Sequence, residues 1–317
     1  MTPKVSIIIP NYNYARFLPK RMESILNQTY KDYEIVFLDD ASNDNSMTII
    51  KQYENRIDKI IVNGKNTGSP FAQWKNGAKN ASGEYIWIAE ADDFCKSNFL
   101  ENIIPILEKN KNVGIAYCQT APIDSENKII TSYTYIQYTD FLDKQKWLKE
   151  YINNGKHEVE NYMAVLSTII NVSSIVFRKK AFLEAVNLSK PKLVQAKDWL
   201  IYIKILEKYD ISYTPQILNY HRIHPKKFTN QTVTNIACFK DVLKVFDYLY
   251  KNFNLSRQIK SIQFNQILNL WNGHYDGPNG KISKKNNLIL FLKLVKFYPH
   301  KFPMLFAMYL KTLTPRK

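Results

Sequence analysis

Gly83-Glu84-Tyr85-Ile86-Trp87-Ile88-Ala89-Glu90-Ala91-Asp92-Asp93 is the stretch on which the fold of this chain turns. Tyr85 to Ala89 form a continuous apolar run, the pattern of a strand buried on both faces as in a parallel sheet. The run ends in three carboxylates within four residues, Glu90, Asp92 and Asp93. Open α/β sheets bind their ligands at the carboxyl ends of the strands. Carboxylates packed this closely repel one another unless a cation or a donor network neutralises them. Two readings follow: a metal-binding turn, or a solvated turn in which Asp92 or Asp93 caps a helix starting near Ser97.

The flanking sequence repeats the strand–helix alternation. Val5-Ser6-Ile7-Ile8-Ile9-Pro10 reads as a first strand, and Phe17, Met22, Ile25 and Leu26 follow at helical spacing. Tyr33 to Leu38 reads as a strand ending in Asp39-Asp40, Met47 to Tyr53 as helix, Ile57 to Val62 as strand and Phe71 to Asn80 as helix. Short links between such elements imply right-handed crossovers and a mainly parallel, doubly wound sheet. Beyond the acidic turn, helix is expected over 99–107, strand over 113–118, helix over 147–152, strand over 173–177, helix over 179–186 and helix from Lys197 to about Tyr209. Ile211 to Tyr220 reads as extended. Helices dominate after Ala237, broken by a turn over 272–280.

At 317 residues the chain is long enough for a large core, and its aromatic richness (21 Tyr, 17 Phe) excludes a disordered protein. Cys95, Cys118 and Cys238 are odd in number and far apart, which argues for a reducing compartment without disulfides. The first apolar run is too short for a signal-peptide core, and no run reaches the roughly 18 residues of a spanning helix. A cytoplasmic protein is expected. The net charge of +16 is concentrated late: after Asp276 no acidic residue occurs, while Lys281, Lys284, Lys285, Lys293, Lys296, Lys301, Lys311, Arg316 and Lys317 do. Apolar and aromatic residues interleave with them, which suits an anionic membrane surface. A helix pair packed on the body with a solvated basic face is the alternative. No nucleic-acid-binding motif accompanies the charge.

In order and spacing, six motifs between residues 4 and 230 resemble the family 2 glycosyltransferases of the GT-A fold, chiefly bacterial enzymes of surface-polysaccharide synthesis. They are Val5 to Asn13, Leu38 to Ser42, Asn66 to Ser69, Gly83 to Asp93, Lys197-Asp198-Trp199 and Asn219 to His224. Residues 231 to 317 lie outside the resemblance.

The resemblance implies a GT-A, Rossmann-like α/β domain with a helical C-terminal extension. Residues 1–118 would form the nucleotide-sugar half, 119–230 the acceptor half with the catalytic base, and 231–317 a membrane-surface or oligomer contact. Pro10, Asn11 and Tyr12 would line the base pocket, with Tyr12 stacking on a uracil, unless it simply packs at the strand end. Asp40 would accept hydrogen bonds from the base, and Asn66 would lie on the nucleotide loop. Glu90-Ala91-Asp92 occupies the Asp-x-Asp position, with Glu90 in place of the usual first aspartate. Asp92, Asp93 and His224 would hold Mn²⁺ or Mg²⁺ on the diphosphate. His224 has a purely structural reading as well.

Asp198 takes the place of the general base, although an acid stabilised by the helix dipole is the other reading there. Lys197 stands where the family commonly has an acid, which is expected to lower the pKa of Asp198. His221, Arg222 and Trp199 would face phosphate or acceptor. Many relatives carry an arginine where this chain reads Phe71-Ala72-Gln73-Trp74-Lys75-Asn76, and Lys75 is the substitute.

The function implied is inverting, metal-dependent transfer of a sugar from a UDP-sugar to a glycan or lipid-linked acceptor in polysaccharide or lipopolysaccharide synthesis. It would take place at the inner face of the cytoplasmic membrane, with a homo-oligomer through the C-terminal helices possible and nucleic acid excluded as a partner. The competing classes are a nucleotidyltransferase, which wants a glycine-rich loop absent after the first strand, and a non-catalytic nucleotide- or membrane-binding module.

Overall fold

Apart from two short strands, Phe94–Cys95 and Tyr151–Asn153, the strands form where the apolar runs predict them. A computed structural model describes residues 2–130, 138–188, 193, 196–224, 236–276 and 284–313. Its strands are β1 (Val5–Asn11), β2 (Tyr33–Asp39), β3 (Lys59–Val62), β4 (Tyr85–Ile88), β5 (Phe94–Cys95), β6 (Val113–Ile123), β7 (Tyr151–Asn153), β8 (Ile175–Arg178) and β9 (Asp210–Arg222). The helices used below are α1 (Leu18–Leu26), α2 (Ser46–Lys51), α3 (Pro70–Asn80), α4 (Phe99–Lys109), α5 (Lys179–Leu188), α6 (Lys197–Leu206), α7 (Ile236–Asn252), α8 (Arg257–Asp276), α9 (Lys284–Phe297) and α10 (Phe302–Leu313). The chain divides into two compact units. One comprises Met1–Met163, Ser167–Lys190 and Asp198–His224; the other comprises Ala164–Leu166, Pro191–Lys197 and Pro225–Lys317.

The first unit is built on one sheet in the order β3-β2-β1-β4-β8-β6-β9-β5, with β7 also on β9. β3, β2, β1 and β4 are all parallel. β8 runs antiparallel to both β4 and β6, so the sheet is mixed beyond the nucleotide-type half. Every residue of β1 and β4 is buried. Val5, Ile7, Ile9, Tyr85 and Trp87 meet Met22 and Ile25 of α1 and Phe99 and Ile103 of α4 in one apolar cluster. α3 covers the opposite face. It comes so close that a Cβ on Gly77 would stand 2.3 Å from Ile8 Cγ2 and 3.1 Å from Leu38 Cδ1.

Three expectations change. The helix expected over 147–152 is a 3₁₀ turn (Lys146–Leu148) followed by β7, which pairs antiparallel with β9. Pairing with a strand already in the sheet overrides local preference there. Neither Asp92 nor Asp93 caps a helix: α4 starts at Phe99, behind Asn98. The turn expected from Asn272 is helical as far as Asp276, and the remainder of it lies outside the described residues.

In the second unit, Phe239, Leu243, Phe246, Leu249, Phe264, Ile267, Trp271, Leu290 and Leu294 are buried among α7, α8 and α9. Polar groups within this core are paired. The Tyr250 hydroxyl reaches Gln263 Oε1 and the Tyr298 hydroxyl, each at 2.9 Å, and Trp271 Nε1 donates to Asn287 Oδ1 at 2.9 Å. Among the described residues no helix is long and apolar enough to cross a membrane.

Candidate active site

The site lies at the carboxyl ends of β1, β2 and β4, where parallel strands leave their loops. Pro10 and Asn11 end β1 and are buried, while Tyr12 behind them is 42% exposed. Asn11 Nδ2 donates to Asp39 Oδ1 (2.8 Å) and Ser42 Oγ (3.1 Å), and the Ser42 amide returns to Asp39 Oδ2 (2.8 Å). These bonds lock the loops after β1 and β2 together. Asp39 is consumed in that lock.

Asp40 is buried and faces the next loop. Its Oδ1 accepts from Asn63 Nδ2 (2.8 Å), the Thr67 amide (3.0 Å) and Gln73 Nε2 (2.8 Å), and its Oδ2 accepts from Thr67 Oγ1 (2.7 Å). A carboxylate offers about four lone-pair sites. As built, Asp40 ties the 63–69 loop to β2, and a base contact needs one of these bonds to open. Asn66 closes the same loop by accepting from the Gly68 amide at 2.5 Å, with Gly68 at φ 64°, where a side chain is disfavoured. Lys75 is half-buried on α3.

The three carboxylates after β4 have three different environments. Glu90 Oε1 accepts from the Trp74 indole at 2.7 Å. Asp93 is 1% exposed; its Oδ2 accepts from Asn171 Nδ2 (2.8 Å) and Ser173 Oγ (2.7 Å), and its Oδ1 from the Arg222 amide (2.9 Å). Asp93 therefore braces the turn against the segment before β8 and the end of β9. Asp92 Oδ2 lies 3.1 Å from His224 Nε2. The strand pairing explains this approach. The acidic turn runs straight into β5, which pairs antiparallel with β9 through Phe94 and Tyr220, their rings stacked at 4.6 Å, and β9 delivers His224 just past its end. Tyr14 meets the His224 ring edge-on at 5.6 Å and Phe17 lies 5.2 Å away, which sets the ring's plane.

Arg222 is turned inward. Its Nε donates to the Asp92 carbonyl (2.7 Å), Nη1 to the Asp124 carbonyl (2.7 Å) and Nη2 to Asn127 Oδ1 (2.6 Å), with Phe17 4.6 Å from the guanidinium. On the other side, Arg21 donates from Nε to the Glu90 carbonyl at 2.8 Å. Two buried guanidinium groups thus grip the backbone of the acidic turn. His221 is half-exposed beside Arg222. Burial first, then Asp92, Glu90 and Asp93, push the Tyr14 phenol well above its ordinary value.

Asp198 opens α6 and accepts from the Trp199 amide at 2.8 Å. Burial pushes its carboxyl up to about 6, against the expectation that Lys197 would lower it; desolvation outweighs the hydrogen bonds that favour the charged form. Trp199 is buried and donates from its indole to the Met163 carbonyl at 2.8 Å, which anchors the start of the helix. Asp198 and Glu90 both raise the phenol of the buried Tyr202, behind the larger effect of burial, so both carboxylates bear on one side chain.

The cation site rests on few side chains. Among the described residues no group of three His, Cys, Asp or Glu stands ready for a metal. A hard cation on a diphosphate takes one or two protein ligands and fills the rest of its shell with phosphate and water. The 3.1 Å between Asp92 Oδ2 and His224 Nε2 is close to the separation of adjacent ligands around an octahedral ion with bonds of about 2.1 Å. These two residues fit such an ion; Asp93, with both oxygens engaged, stands behind them.

Several participants escaped the sequence. Ser173 accepts from the Glu90 amide (3.1 Å), donates to Asp93, and receives the Trp87 indole on its carbonyl (2.8 Å). Asn171, Gln73, Trp74 and Arg21 belong with it. A run of small polar residues, Asn171 and Ser173-Ser174, just before an apolar strand is the one signal available.

Residues 6–182, more than half of the chain, match the family described as Glycosyl transferase family 2. An uncharacterized glycosyltransferase of Rickettsia typhi is 30% identical over 237 residues, covering 74% of this chain and 69% of that protein. Glycosyltransferase GlyG of Streptococcus pneumoniae is 29% identical over 186 residues, 57% of this chain and 60% of GlyG. Poly(ribitol-phosphate) beta-glucosyltransferase of Bacillus spizizenii is 38% identical over 101 residues, 31% of this chain and 16% of that enzyme. Among solved structures, S. aureus TarS 1–349 superposes with a TM-score of 0.65 at 17% identity, over 95% of this chain and 83% of that one. The mannosyltransferase PcManGT of Pyrobaculum calidifontis, in complex with GDP-Man and Mn²⁺, gives 0.58 at 15% identity, over 98% and 86%. At such identities the likeness is one of fold, and the fold is GT-A. On the family match over more than half of the chain and the relative of 30% identity, the chain is a glycosyltransferase and belongs to glycosyl transferase family 2.

Proposed function

We propose that this glycosyltransferase moves a sugar from a UDP-sugar, with inversion and with a divalent cation, to a glycan or lipid-linked acceptor of a cell-surface polysaccharide. The carrying observation is the buried Asp92–His224 pair at the end of β4, 3.1 Å apart. Support for the donor comes from TarS, whose structures include complexes with UDP and with UDP-GlcNAc. Support for the acceptor class comes from the poly(ribitol-phosphate) glucosyltransferase. The cytoplasmic face of the membrane is the proposed place of work, on the basic character of the chain after Asp276. Residues 1–118 fall within the first compact unit, and so does 119–224 apart from Ala164–Leu166 and Pro191–Lys197, which belong to the second; the 230/231 boundary lies outside the described residues.

In this reading Pro10, Asn11 and Tyr12 line the nucleotide pocket, with the exposed Tyr12 ring free to stack on the base. Asp40, Asn66 and Gln73 shape the loop that closes it, and Lys75 supplies a point charge in place of the family's arginine. Glu90, held by Trp74, and the Ala91 backbone face the ribose. Asp92 and His224 would hold Mn²⁺ or Mg²⁺, which would supply positive charge to the leaving diphosphate. Asp93 and Arg222 keep that turn rigid. Asp198 removes the proton from the acceptor hydroxyl as its oxygen bonds to the anomeric carbon, and the bond to the diphosphate oxygen breaks with its electron pair staying on the nucleotide. One base suffices, and attack from the open face inverts the centre.

The test is thermal unfolding with UDP-, GDP-, dTDP- and CMP-sugars, each with Mn²⁺ and with chelator. A cation-dependent rise with a UDP-sugar that Asp92→Asn abolishes is expected. A response to a GDP-sugar alone would move the donor towards that of PcManGT, and a rise that ignores the cation would remove the metal from the scheme.

A further inference from the structure

We infer that α9 and α10 form a hairpin that docks side-on upon an anionic lipid bilayer. α10 reads Phe302-Pro303-Met304-Leu305-Phe306-Ala307-Met308-Tyr309-Leu310-Lys311-Thr312-Leu313 and carries one charge, Lys311. A helix this apolar is ordinarily buried. Here Leu305 is buried, whereas Phe302, Met304, Phe306 and Leu310 are 40–46% exposed. Phe302, Phe306 and Leu310 recur every fourth residue and so share a stripe, and the first two rings stack 5.6 Å apart. On α9, Leu288 and Leu292 are exposed and Lys296 continues their spacing. The buried Phe291 packs on Phe302, Phe306 and Tyr309, so the two helices are already joined behind the exposed stripe.

Charge selects the occupant. A two-fold contact with a second copy would crowd the lysines that flank this stripe, Lys301 and Lys311, against those of the partner, while Lys296 is already paired with Asp247 at 3.3 Å. A spanning arrangement fails on length: the 12 residues of α10 rise about 18 Å, against a hydrocarbon core of about 30 Å. An anionic bilayer satisfies both features. The apolar stripe enters the boundary between headgroups and acyl chains, and the lysine stems carry their ammonium groups back to the phosphates. The inference rests on the proposed work at a membrane surface and is independent of the transfer chemistry.

The experiment sediments the full chain with sucrose-loaded vesicles of phosphatidylcholine alone or mixed with phosphatidylglycerol. Binding to the mixed vesicles, weakened by added salt, is expected. Phe306→Glu with Leu310→Glu should reduce it by roughly tenfold or more, with unchanged unfolding temperature. Leu292→Glu on the neighbouring helix gives a second, smaller reduction. Wild-type binding by both variants would overturn the inference. So would a chain that ignores both vesicles and sediments as a dimer that Phe306→Glu dissociates. Loss of the donor-induced stabilisation with vesicle binding intact would strike the donor reading and leave the hairpin standing.

Discussion

Asp198 and Arg222 show how much a single side chain depends on its surroundings at this site. Burial holds the Asp198 carboxyl at about 6, so it is largely ionised at neutral pH yet basic enough to take a proton. The rate at low acceptor should climb with pH until about 6 and then level off. Asp198→Asn should cost about 10²–10⁴-fold in kcat while donor affinity stays; equal loss of both would mark Asp198 as structural. Arg222 acts through Asp92, since its Nε is bound to the Asp92 carbonyl. Lysine cannot span the Asp92, Asp124 and Asn127 oxygens together. Arg222→Lys should therefore weaken Mn²⁺ binding by about 10–100-fold and leave kcat at saturating Mn²⁺ nearly intact. A Mn²⁺ titration that superposes on the wild type would remove Arg222 from the positioning of Asp92.

At the scale of elements, the acidic turn is placed by the registers of β1, β4 and β9. Gly83 leads into β4 where a Cβ would come within 2.8 Å of the Ser6 amide nitrogen and 2.9 Å of Val5 C, both backbone atoms that have no room to yield. The Gly83 amide also donates to Ser6 Oγ at 2.8 Å. Gly83→Ala should lose about 1–3 kcal/mol in urea unfolding through overpacking. An unchanged midpoint would mean that the β1–β4 approach is looser than described. The pairing of β5 with β9 is the second device, because it brings Asp92 and His224 from two distant segments to 3.1 Å, the pair proposed above to hold the cation.

For the whole molecule, the proposed base Asp198 is a source of instability. The Asp198 carboxyl is raised from 3.8 to about 6 on folding, so the folded chain holds its proton more tightly than the unfolded one. Stability from this group is complete below about pH 3.8 and falls as pH rises through about 6, by an amount on the order of 3 kcal/mol. Asn at this position keeps an oxygen for the Trp199 amide. Asp198→Asn should thus be more stable than wild type at pH 7 and equal to it near pH 3, in denaturant titrations at both values. A variant no more stable at pH 7 would show that Asp198 titrates near its ordinary value.

The parallel half of the sheet could be read from the chain alone, because β1, β2 and β4 are runs buried on both faces and such runs have few other uses. The placement of Asp92 just after a strand and of Asp198 at a helix start could be read in the same way. β7 was illegible: three residues become a strand only because β9 offers them a partner. Ser173, Asn171, Arg21 and Trp74 were illegible for a related reason. Their bonds to the acidic turn cross 16 to 83 residues of sequence, and nothing local records them. Local pattern reports what a segment buries, which is enough to place strands, helices and the acids at their ends. Which carboxylate stands beside His224, which is consumed as a brace and which is desolvated depends on neighbours that only folding brings into reach.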